Sequence, residues 1–311
     1  MKLLTVIVNY KTPEMTLESA EAALREMARV PGGARLSIVD NGSMDGSFEK
    51  IYEGVKDKGW KPVTVLSTGW NGGFGYGNNF AIRHALASAD PPDYVYLLNS
   101  DAFPDEGSIA ALVEFMDTHP DVGIAGSYTH SPEGEPKASS FRFPTVYSEF
   151  EHAMRLGVLS SALESYLVSM PTPDHDVEVD WVSGSSLILR RDLLETVGLF
   201  DEGFFLYFEE TDLCFRAKEQ GWRTMFVRGA SVTHIEGVST GIHRVQRMPS
   251  YWFDSRRRFF EKNRGRAYFA AATAAHVGGG LVWRVRRRIQ RKPAEDPPHF
   301  LRDLVRHALV R

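Results

Sequence analysis

Cysteine is almost absent from this chain, whose 311 residues include only Cys214. A single cysteine cannot form an internal disulfide, and it excludes a metal site built from several thiolates. A chain without disulfides fits a reducing compartment, so we expect a cytoplasmic protein in which Cys214 packs in the core. The apolar run at residues 3–8 ends at Asn9, after too few residues for a secretory signal, and this favours the same location.

Two phosphate-binding signatures are also missing. Residues 71–79 are rich in glycine, but they contain neither Gly-x-Gly-x-x-Gly nor Gly-Lys-Ser/Thr. Glycines there let backbone amides approach a ligand at the start of a helix, although a flexible connector would have the same composition. The apolar run at residues 267–283 is interrupted by His276 and three consecutive glycines, so we expect no membrane-spanning helix from it.

The net charge of −4 hides an asymmetry. Residues 1–250 contain 21 Lys and Arg against 35 Asp and Glu, whereas residues 251–292 contain 12 against 2. The acidic main part would repel phosphates, so we expect no nucleic-acid partner. The basic, partly apolar tail favours peripheral attachment to the inner face of the cell membrane. A basic helix packed on the main domain, or on a second copy in a homo-oligomer, remains the alternative.

Strands and helices alternate in the first part of the chain, which is typical of βαβ units. We therefore predict an α/β fold with a Rossmann-like, mostly parallel sheet flanked by helices. Later in the chain we expect one helix at residues 146–168 and two closing strands at 222–227 and 230–235. The predicted organisation is a nucleotide-binding half at residues 1–127, the second half of the same domain at 128–250, and a helical basic tail at 251–311.

Asn99, Ser100 and Asp101 arrive together where the apolar run 94–98 should end. Ligands of open α/β sheets gather at the carboxyl ends of strands, so Asp101 could hold a divalent cation there, although all three residues also favour turns. His234 ends a later strand, where an isolated histidine is often only a packing residue. If that strand lies beside Asp101, the two side chains could share one Mg²⁺ or Mn²⁺ with substrate phosphates.

Three carboxylates, Glu209, Glu210 and Asp212, follow the apolar segment 204–208 within one helical turn. Burial and like-charge neighbours both raise a carboxyl pKa, as a general base requires. A solvated helix start, where acids favour the helix dipole, would have the same composition.

At this point several segments resemble the family 2 glycosyltransferases with the GT-A fold, in particular the bacterial rhamnosyltransferase-like group. The resemblance covers residues 3–240, and its most specific part is Gly-Leu-Phe-Asp-Glu-Gly-Phe-Phe-Leu-Tyr-Phe-Glu-Glu-Thr-Asp-Leu-Cys at 198–214. The other matching segments are Val-Ile-Val-Asn-Tyr at 6–10, Ile-Val-Asp-Asn-Gly-Ser at 38–43, the glycine-rich 71–79, Leu-Leu-Asn-Ser-Asp-Ala at 97–102, Trp-Val-Ser-Gly at 181–184 and His-Ile-Glu-Gly-Val-Ser at 234–239.

This resemblance implies roles for individual residues. Asn99 stands where the family's Asp-x-Asp motif has its first acid, which leaves Asp101 as the main metal carboxylate, and Glu210 stands at the position of the catalytic base. Asp40 would contact the base or ribose of the donor nucleotide. The remaining implied contacts are Tyr10, Asn71, Gly73, Asn78 and Asn99 for the nucleotide sugar, and Trp181 and Gly184 for the acceptor.

The resemblance implies an inverting, metal-dependent glycosyltransferase. Its donor would be a nucleotide-diphosphate sugar, with dTDP-rhamnose the leading candidate, and its acceptor a cell-surface glycan carried on a polyprenyl diphosphate. A sugar nucleotidyltransferase would need a Gly-rich, basic phosphate loop after the first strand, and residues 9–13 supply none. A non-catalytic carbohydrate-binding protein is the other alternative, and the joint presence of Asp40, Asp101, Glu210 and His234 disfavours it.

Overall fold

The computed structural model describes residues 2–157, 163–235, 247–293 and 296–309. Its strands are β1 (Leu3–Asn9), β2 (Ala34–Asp40), β3 (Val63–Ser67), β4 (Tyr94–Asn99), β5 (Ala102–Pro104), β6 (Val122–His130), β7 (Pro136–Lys137), β8 (Ser140–Phe141), β9 (Val177–Glu178), β10 (Trp181–Val182), β11 (Ser186–Arg190) and β12 (Arg223–His234). Its helices are α1 (Pro13–Met27), α2 (Ser47–Asp57), α3 (Phe74–Leu86), α4 (Ser108–Thr118), α5 (Val146–Met154), α6 (Arg191–Val197), α7 (Glu209–Glu219), α8 (Ser250–Arg264), α9 (Arg266–Ile289) and α10 (Phe300–Leu309).

One large sheet organises the molecule, with its strands in the order β3-β2-β1-β4-β11-β6-β12-β5. The neighbours from β3 to β4 are parallel, β11 runs antiparallel to both β4 and β6, and β12 is parallel to β6. Parallel pairing in register places Asn9 beside Asp40 and Val8 beside Asn99. The carboxyl ends of β1, β2 and β4 therefore meet at one edge, as expected for an α/β fold.

Helices cover both faces of this sheet, which explains why β1 is apolar at nearly every position. Leu4 and Val6 of β1 enter a core shared with α3, α6 and α7, whereas Leu3 and Ile7 enter a second core shared with α1, α2 and α4. Cys214 lies in the first core, and burial raises the pKa of its thiol to about 12, so it is an unreactive packing residue.

Two elements differ from the sequence prediction. The helix expected over residues 146–168 ends at Met154, because Arg155 takes a left-handed φ of 50°, and a short 3₁₀ turn, Glu164–Tyr166, lies in the rest of the expected range. The two strands expected at 222–227 and 230–235 form the single strand β12, whose register against β6 shifts between Val227 and Ser231. An irregularity of this kind bends a strand without ending it.

The tail folds back onto the main domain as α8, α9 and α10. The glycines at 278–280 do not interrupt α9: a Cβ at Gly279 would lie 2.5 Å from the carbonyl oxygen of Phe150 in α5, so the glycine permits close packing of the two helices. Within the described residues, no helix combines the length and the apolar character that a bilayer crossing requires. The tail is thus partly a structural layer of the domain.

Candidate active site

A cavity of about 580 Å³ opens at the sheet edge where β1 and β4 end. It brings together residues that are distant in sequence, because parallel strands deliver their carboxyl ends to the same place. Its walls are formed by Val8, Tyr10, Asn41, Asn71, Gly73, Phe74, Asn99, Ser100, Asp101, Ser183, Gly184, Ser185, Phe205, Leu206, Tyr207, Glu209, Glu210, His234 and Tyr251.

Asp101 and His234 lie side by side in this cavity. Strand β12 pairs antiparallel with β5 so that His234 is opposite Ala102, and this register carries its imidazole to the residue before β5. The distance from His234 Nε2 to Asp101 Oδ1 is 3.2 Å, across 133 positions of sequence. Asn99 Nδ2 lies 3.5 Å from the same imidazole nitrogen. The backbone supports the pair, since the N–H of Ile235 donates to the Asp101 carbonyl at 3.0 Å.

These two side chains fit a divalent cation only in part. Among the described residues no group of three or more His, Cys, Asp or Glu side chains could hold a metal. Mg²⁺ commonly takes one or two protein carboxylates and completes its shell with water and substrate phosphates. A carboxylate and an imidazole facing an open cavity therefore suit a cation that arrives with a diphosphate. The remainder of the motif that begins at His234, residues 236–239, lies outside the described residues.

Glu209 and Glu210 begin α7 and line the same cavity. The two residues before them, Tyr207 and Phe208, have φ of 70° and 69°, and this unusual turn directs the helix start toward the cavity. Burial raises the pKa of Glu209 well above its ordinary value, and the charge of Glu210 raises it further. Burial also raises the pKa of Glu210, opposed in part by backbone N–H groups that include that of Gly184.

The free oxygens of this pair are its chemically informative feature. Neither Glu209 Oε2 nor Glu210 Oε2 has a hydrogen-bond partner among the described residues, although both atoms are buried. Because buried polar atoms are nearly always bonded, unpartnered carboxylate oxygens indicate a place for a ligand. Both carboxyl groups therefore take up a proton more readily than an ordinary glutamate, and they titrate as a pair.

The glycine-rich segment is a fixed part of the cavity wall. Asn41 Nδ2 donates to the Gly73 carbonyl at 2.9 Å and to Asn71 Oδ1 at 3.1 Å, and Asn71 Oδ1 also accepts the Gly73 N–H. A Cβ at Gly73, where φ is 92°, would overlap the carbonyl oxygen of Phe205. Glycine is therefore required there so that the loop before α7 can close over the start of α3.

Four residues assigned to the site from the sequence do not line this cavity: Asp40, Asn78, Trp181 and Asp212. The carboxylate of Asp40 accepts hydrogen bonds from Asn9 at 2.7 Å and from the Ser43 hydroxyl at 2.5 Å. Asn78 Nδ2 donates to the Phe74 carbonyl, so this side chain secures the first turn of α3. Trp181 stacks on Phe141 at 4.0 Å and lies on a second cavity instead. The nucleotide contact of Asp40 stays a prediction.

Asp212, which the sequence groups with Glu209 and Glu210 as a candidate catalytic acid, lies apart from them in its contacts. Its side chain is fully buried away from both cavities, and it accepts hydrogen bonds from Arg216 at 2.8 Å, Lys262 at 2.8 Å and Asn263 at 2.9 Å. Residues i and i+3 of a helix are neighbours, so helical spacing alone would leave Asp212 close to Glu209, and its three partners are what distinguish it from the other two acids. Asp212 joins α7 to α8.

Several residues that line this cavity were not predicted from the sequence. Asn41, Ser183 and Ser185 lie beside assigned motif positions, and their polarity at strand ends was the available signal. Phe205, Leu206 and Tyr207 belong to the apolar segment that was used only to argue for the acids after it. Tyr251 comes from the basic tail, where its ring lies 5.3 Å from that of Phe205. Nothing local in the sequence connects Tyr251 to this site.

Comparison with known proteins identifies the class to which this site belongs. Residues 3–260 match the family described as Glycosyltransferase like family 2. The chain therefore belongs to the family 2 glycosyltransferases.

Individual relatives agree with that family. The chain is 31% identical over 248 residues to an N-acetylglucosaminyl-diphospho-decaprenol L-rhamnosyltransferase of Mycobacterium tuberculosis, covering 77% of this chain and 78% of that protein. It is 27% identical over 168 residues to the rhamnosyltransferase WbbL of Escherichia coli, covering 52% and 60% of the two chains.

Solved structures share the fold at low sequence identity. The mannosyltransferase PcManGT of Pyrobaculum calidifontis, in complex with GDP-Man and Mn²⁺, superposes with a TM-score of 0.57 at 14% identity, covering 99% of this chain and 81% of that one. GalNAc-T7 with UDP, GalNAc and Mn²⁺ gives a TM-score of 0.59 at 13% identity, covering 99% and 54%. The likeness supports the GT-A type of α/β fold.

Proposed function

We propose that this protein is an inverting glycosyltransferase that moves rhamnose from a nucleotide-diphosphate donor to a hydroxyl group of a lipid-linked glycan. The observation that carries the proposal is the unpartnered carboxylate oxygen of Glu210, which lies in the same cavity as Asp101 and His234. One cavity therefore contains a candidate base and, separately, a candidate pair of cation ligands. Such a pairing is what transfer from a diphosphate to a hydroxyl needs.

The leaving-group side of the cavity is formed by Asp101 and His234. They would hold Mg²⁺ or Mn²⁺. When bound, the cation would stabilise the negative charge that develops on the donor diphosphate as it leaves. Asn99 lies within 3.5 Å of His234 and is available to a hydroxyl or phosphate oxygen of the donor. The bound Mn²⁺ of both similar structures supports this part of the proposal.

Glu210 takes the proton of the acceptor hydroxyl. The acceptor oxygen forms its bond to the anomeric carbon as the bond from that carbon to the phosphate oxygen breaks, and the nucleoside diphosphate leaves with the bonding electrons. A single displacement inverts the anomeric configuration and needs no covalent sugar intermediate. The hydrogen bond from the Gly184 N–H holds the Glu210 carboxylate in place without neutralising it.

The substrates follow from the relatives. Two of them are named as rhamnosyltransferases, and one of these acts on a sugar diphosphate of decaprenol. We propose dTDP-rhamnose as the donor and an N-acetylglucosaminyl-diphospho-prenol as the acceptor class.

A donor panel tests the proposal. The purified chain would be incubated with dTDP-rhamnose, UDP-N-acetylglucosamine or GDP-mannose and a short-chain N-acetylglucosaminyl-diphospho-prenol, with Mg²⁺, Mn²⁺ or EDTA. We expect transfer from dTDP-rhamnose that EDTA abolishes and either cation restores. Transfer that persists in EDTA would remove the metal from the mechanism, and absence of transfer from every donor would overturn the function. Release of pyrophosphate from a nucleoside triphosphate and a sugar phosphate would instead indicate a nucleotidyltransferase.

The tail supports a peripheral membrane location. The second half of α9 exposes Leu281, Val282, Val285 and Ile289, with Ile289 76% exposed, next to the exposed basic residues Arg284 and Arg288. Apolar side chains beside cations suit the headgroup region of a bilayer that contains anionic lipids. A lipid-linked acceptor would then lie near the enzyme.

Vesicle sedimentation tests this location. Replacing Val285 and Ile289 together by Asp should greatly reduce binding to vesicles with anionic lipid, whereas Tyr52→Asp, at an exposed aromatic residue of α2, should not. Equal binding of all three proteins would contradict the membrane face. Concentration-dependent dimers that the double variant abolishes in the absence of lipid would assign this face to a second copy of the chain.

A further inference from the structure

A second cavity of about 370 Å³ adjoins the first. The two share Tyr207 and Glu210 as wall residues, whereas Asp101 and His234 line only the first. The volume falls within the range of about 300–1000 Å³ that is usual for small-molecule sites. Glu210 therefore stands at a junction, with the candidate cation ligands on one side and an additional cavity on the other.

The position of the second cavity matches the geometry of an inverting displacement. In such a reaction the attacking hydroxyl and the leaving phosphate lie on opposite sides of the anomeric carbon, and the base must reach the hydroxyl. A sugar in the second cavity would place a hydroxyl at Glu210, within a cavity that Asp101 and His234 do not line. We propose that the second cavity receives the terminal sugar of the acceptor, an inference that rests on the proposed function.

The walls of this cavity have the chemistry of a pyranose site. Trp181, Trp252 and Phe300 supply aromatic surface, with the rings of Trp252 and Phe300 5.5 Å apart. Aromatic rings pack against the apolar C–H faces of sugars, while the hydroxyl groups need a few well-placed polar partners. The lining cation Arg155 already bonds to Asp296 at 2.6 Å, and this neutralised pair suits an uncharged sugar better than a diphosphate.

His276 is the polar partner that the structure fixes most firmly. Its Nδ1 lies 2.6 Å from Glu149 Oε2, and the other Glu149 oxygen accepts a hydrogen bond from Arg256 Nε at 3.0 Å. An imidazole that donates through Nδ1 presents Nε2 as an acceptor. This Nε2 has no hydrogen-bond partner among the described residues, and His276 lines the cavity. We assign it to an acceptor hydroxyl and assign Glu149 the role of a positioning residue.

The origin of these residues gives the tail a direct role in substrate binding. Glu149 belongs to α5, Trp252 to α8, His276 to α9, and Phe300 to α10. The close approach of α9 to α5 at Gly279 sets the distance at which His276 meets Glu149. Helix α5 and the tail together therefore build the acceptor side, while the parallel part of the sheet builds the donor side.

Two substitutions at His276 separate binding from packing. His276→Asn keeps a donor near Nδ1 but removes the atom at Nε2, whereas His276→Gln keeps a polar atom near Nε2. We expect His276→Asn to weaken binding of the short-chain N-acetylglucosaminyl-diphospho-prenol about tenfold, the usual cost of one such hydrogen bond. His276→Gln should recover most of that loss. His175→Asn, at an exposed histidine outside both cavities, is the matched control.

Binding would be measured by titration calorimetry with nucleoside diphosphate present, so that no turnover is needed, and the dissociation constant for dTDP-rhamnose would be measured separately. Met248→Trp, which fills the second cavity from its wall, is an independent variant that should weaken acceptor binding by a similar factor. Unchanged acceptor binding in both His276→Asn and Met248→Trp overturns the proposal, as does an equal loss of donor binding. A parent protein that binds the acceptor but transfers from no donor would overturn only the proposed function.

Discussion

Two groups of buried acids in this molecule meet opposite electrostatic surroundings. At the start of α7, Glu209 and Glu210 have no cationic partner among the described residues, and burial raises the pKa of each carboxyl. Between α5 and α9, burial also opposes ionisation of Glu149, but the charge of Arg256 and the hydrogen bond from His276 outweigh it and lower its pKa to about 2. The residue type is the same and all three side chains are largely buried, so the partners account for the opposite shifts.

This difference separates acids that take up a proton more readily than usual from acids that hold elements together. A buried carboxylate held by cations and hydrogen-bond donors stays ionised and joins the helices that contribute them, whereas one without cations takes up a proton readily. Asp212 follows Glu209 and Glu210 by only a few residues, yet Arg216 and Lys262 place it in the structural class. Proximity in sequence to a catalytic acid therefore does not define a catalytic role.

The largest expected effect is on the rate of transfer, and it tests the acids that have no cationic partner among the described residues. Glu210→Gln removes the base but keeps the size of the side chain, so we expect the rate of transfer to fall about 10²–10⁴-fold with donor affinity nearly unchanged. Glu219→Gln, at the exposed end of the same helix, should transfer at the parent rate. Single-turnover transfer and donor titration measure the two quantities. Near-parental turnover of Glu210→Gln would remove it as the base.

The next effect is on stability, and it tests the buried ion pair between Glu149 and Arg256. Arg256 is 1% exposed, and Arg256→Met leaves Glu149 with only one partner, so we expect a loss of about 3–5 kcal/mol in the free energy of unfolding. Arg258→Met, in the same helix but at an exposed ion pair with Asp201, should cost less than about 1 kcal/mol. Urea unfolding distinguishes them. Equal losses in the two variants would mean that the burial of the Glu149–Arg256 pair does not determine how much it stabilises the fold.

The contribution of Glu149 to the free energy of unfolding should decrease at acid pH. The folded pKa of Glu149 lies below its unfolded value, so its contribution is present above about pH 4.3 and is lost as pH falls toward 2. A double variant with Glu149→Gln and Arg256→Met should regain much of the single-variant loss and should show a weaker decline of stability in this range. A decline of parental size would assign the acid sensitivity to other carboxylates.

Glu209 should behave in the opposite way. Its folded pKa lies well above the unfolded value, so its contribution to stability is present below about pH 4.3 and is lost as pH rises through the folded pKa. Glu209→Gln should therefore increase the free energy of unfolding at pH 8 by about 1–2 kcal/mol, with a smaller difference at pH 4. Urea titrations at the two pH values measure this. Destabilisation at pH 8 would indicate a stabilising partner for Glu209.

An effect of similar size tests the packing that brings His276 to Glu149. A Cβ at Gly279 would lie 2.5 Å from the Phe150 carbonyl oxygen, whereas one at Gly278 would come no closer than 4.0 Å to the Phe150 ring. Gly279→Ala should destabilise by about 1–3 kcal/mol, and Gly278→Ala should stabilise by up to about 1 kcal/mol through helix propensity. Thermal unfolding of the pair measures both. Stabilisation by both would mean that α5 and α9 separate at little cost.

Much of the donor side could be predicted from local patterns. Apolar runs that end in polar residues located β1, β2 and β4, and the common edge of a parallel sheet then implied that Tyr10, Asn99 and Asp101 lie together. The acceptor side could not be predicted in this way. Trp252, His276 and Phe300 are far apart in the tail, and only the packing of α8, α9 and α10 on α5 brings them into one cavity. Helix packing depends on side-chain shape at many distant positions, and no short motif records it.

By itself the sequence determined the strands of the first half, the helix that begins at Glu209 and the positions of the acids, because these depend on neighbours within a few residues. Tertiary structure alone decided the order of the strands, that His234 meets Asp101, that cations pair with Asp212, and that no cation among the described residues pairs with Glu209 or Glu210. The reason is electrostatic: the pKa of a carboxyl depends on burial and on charges supplied by elements that are distant along the chain.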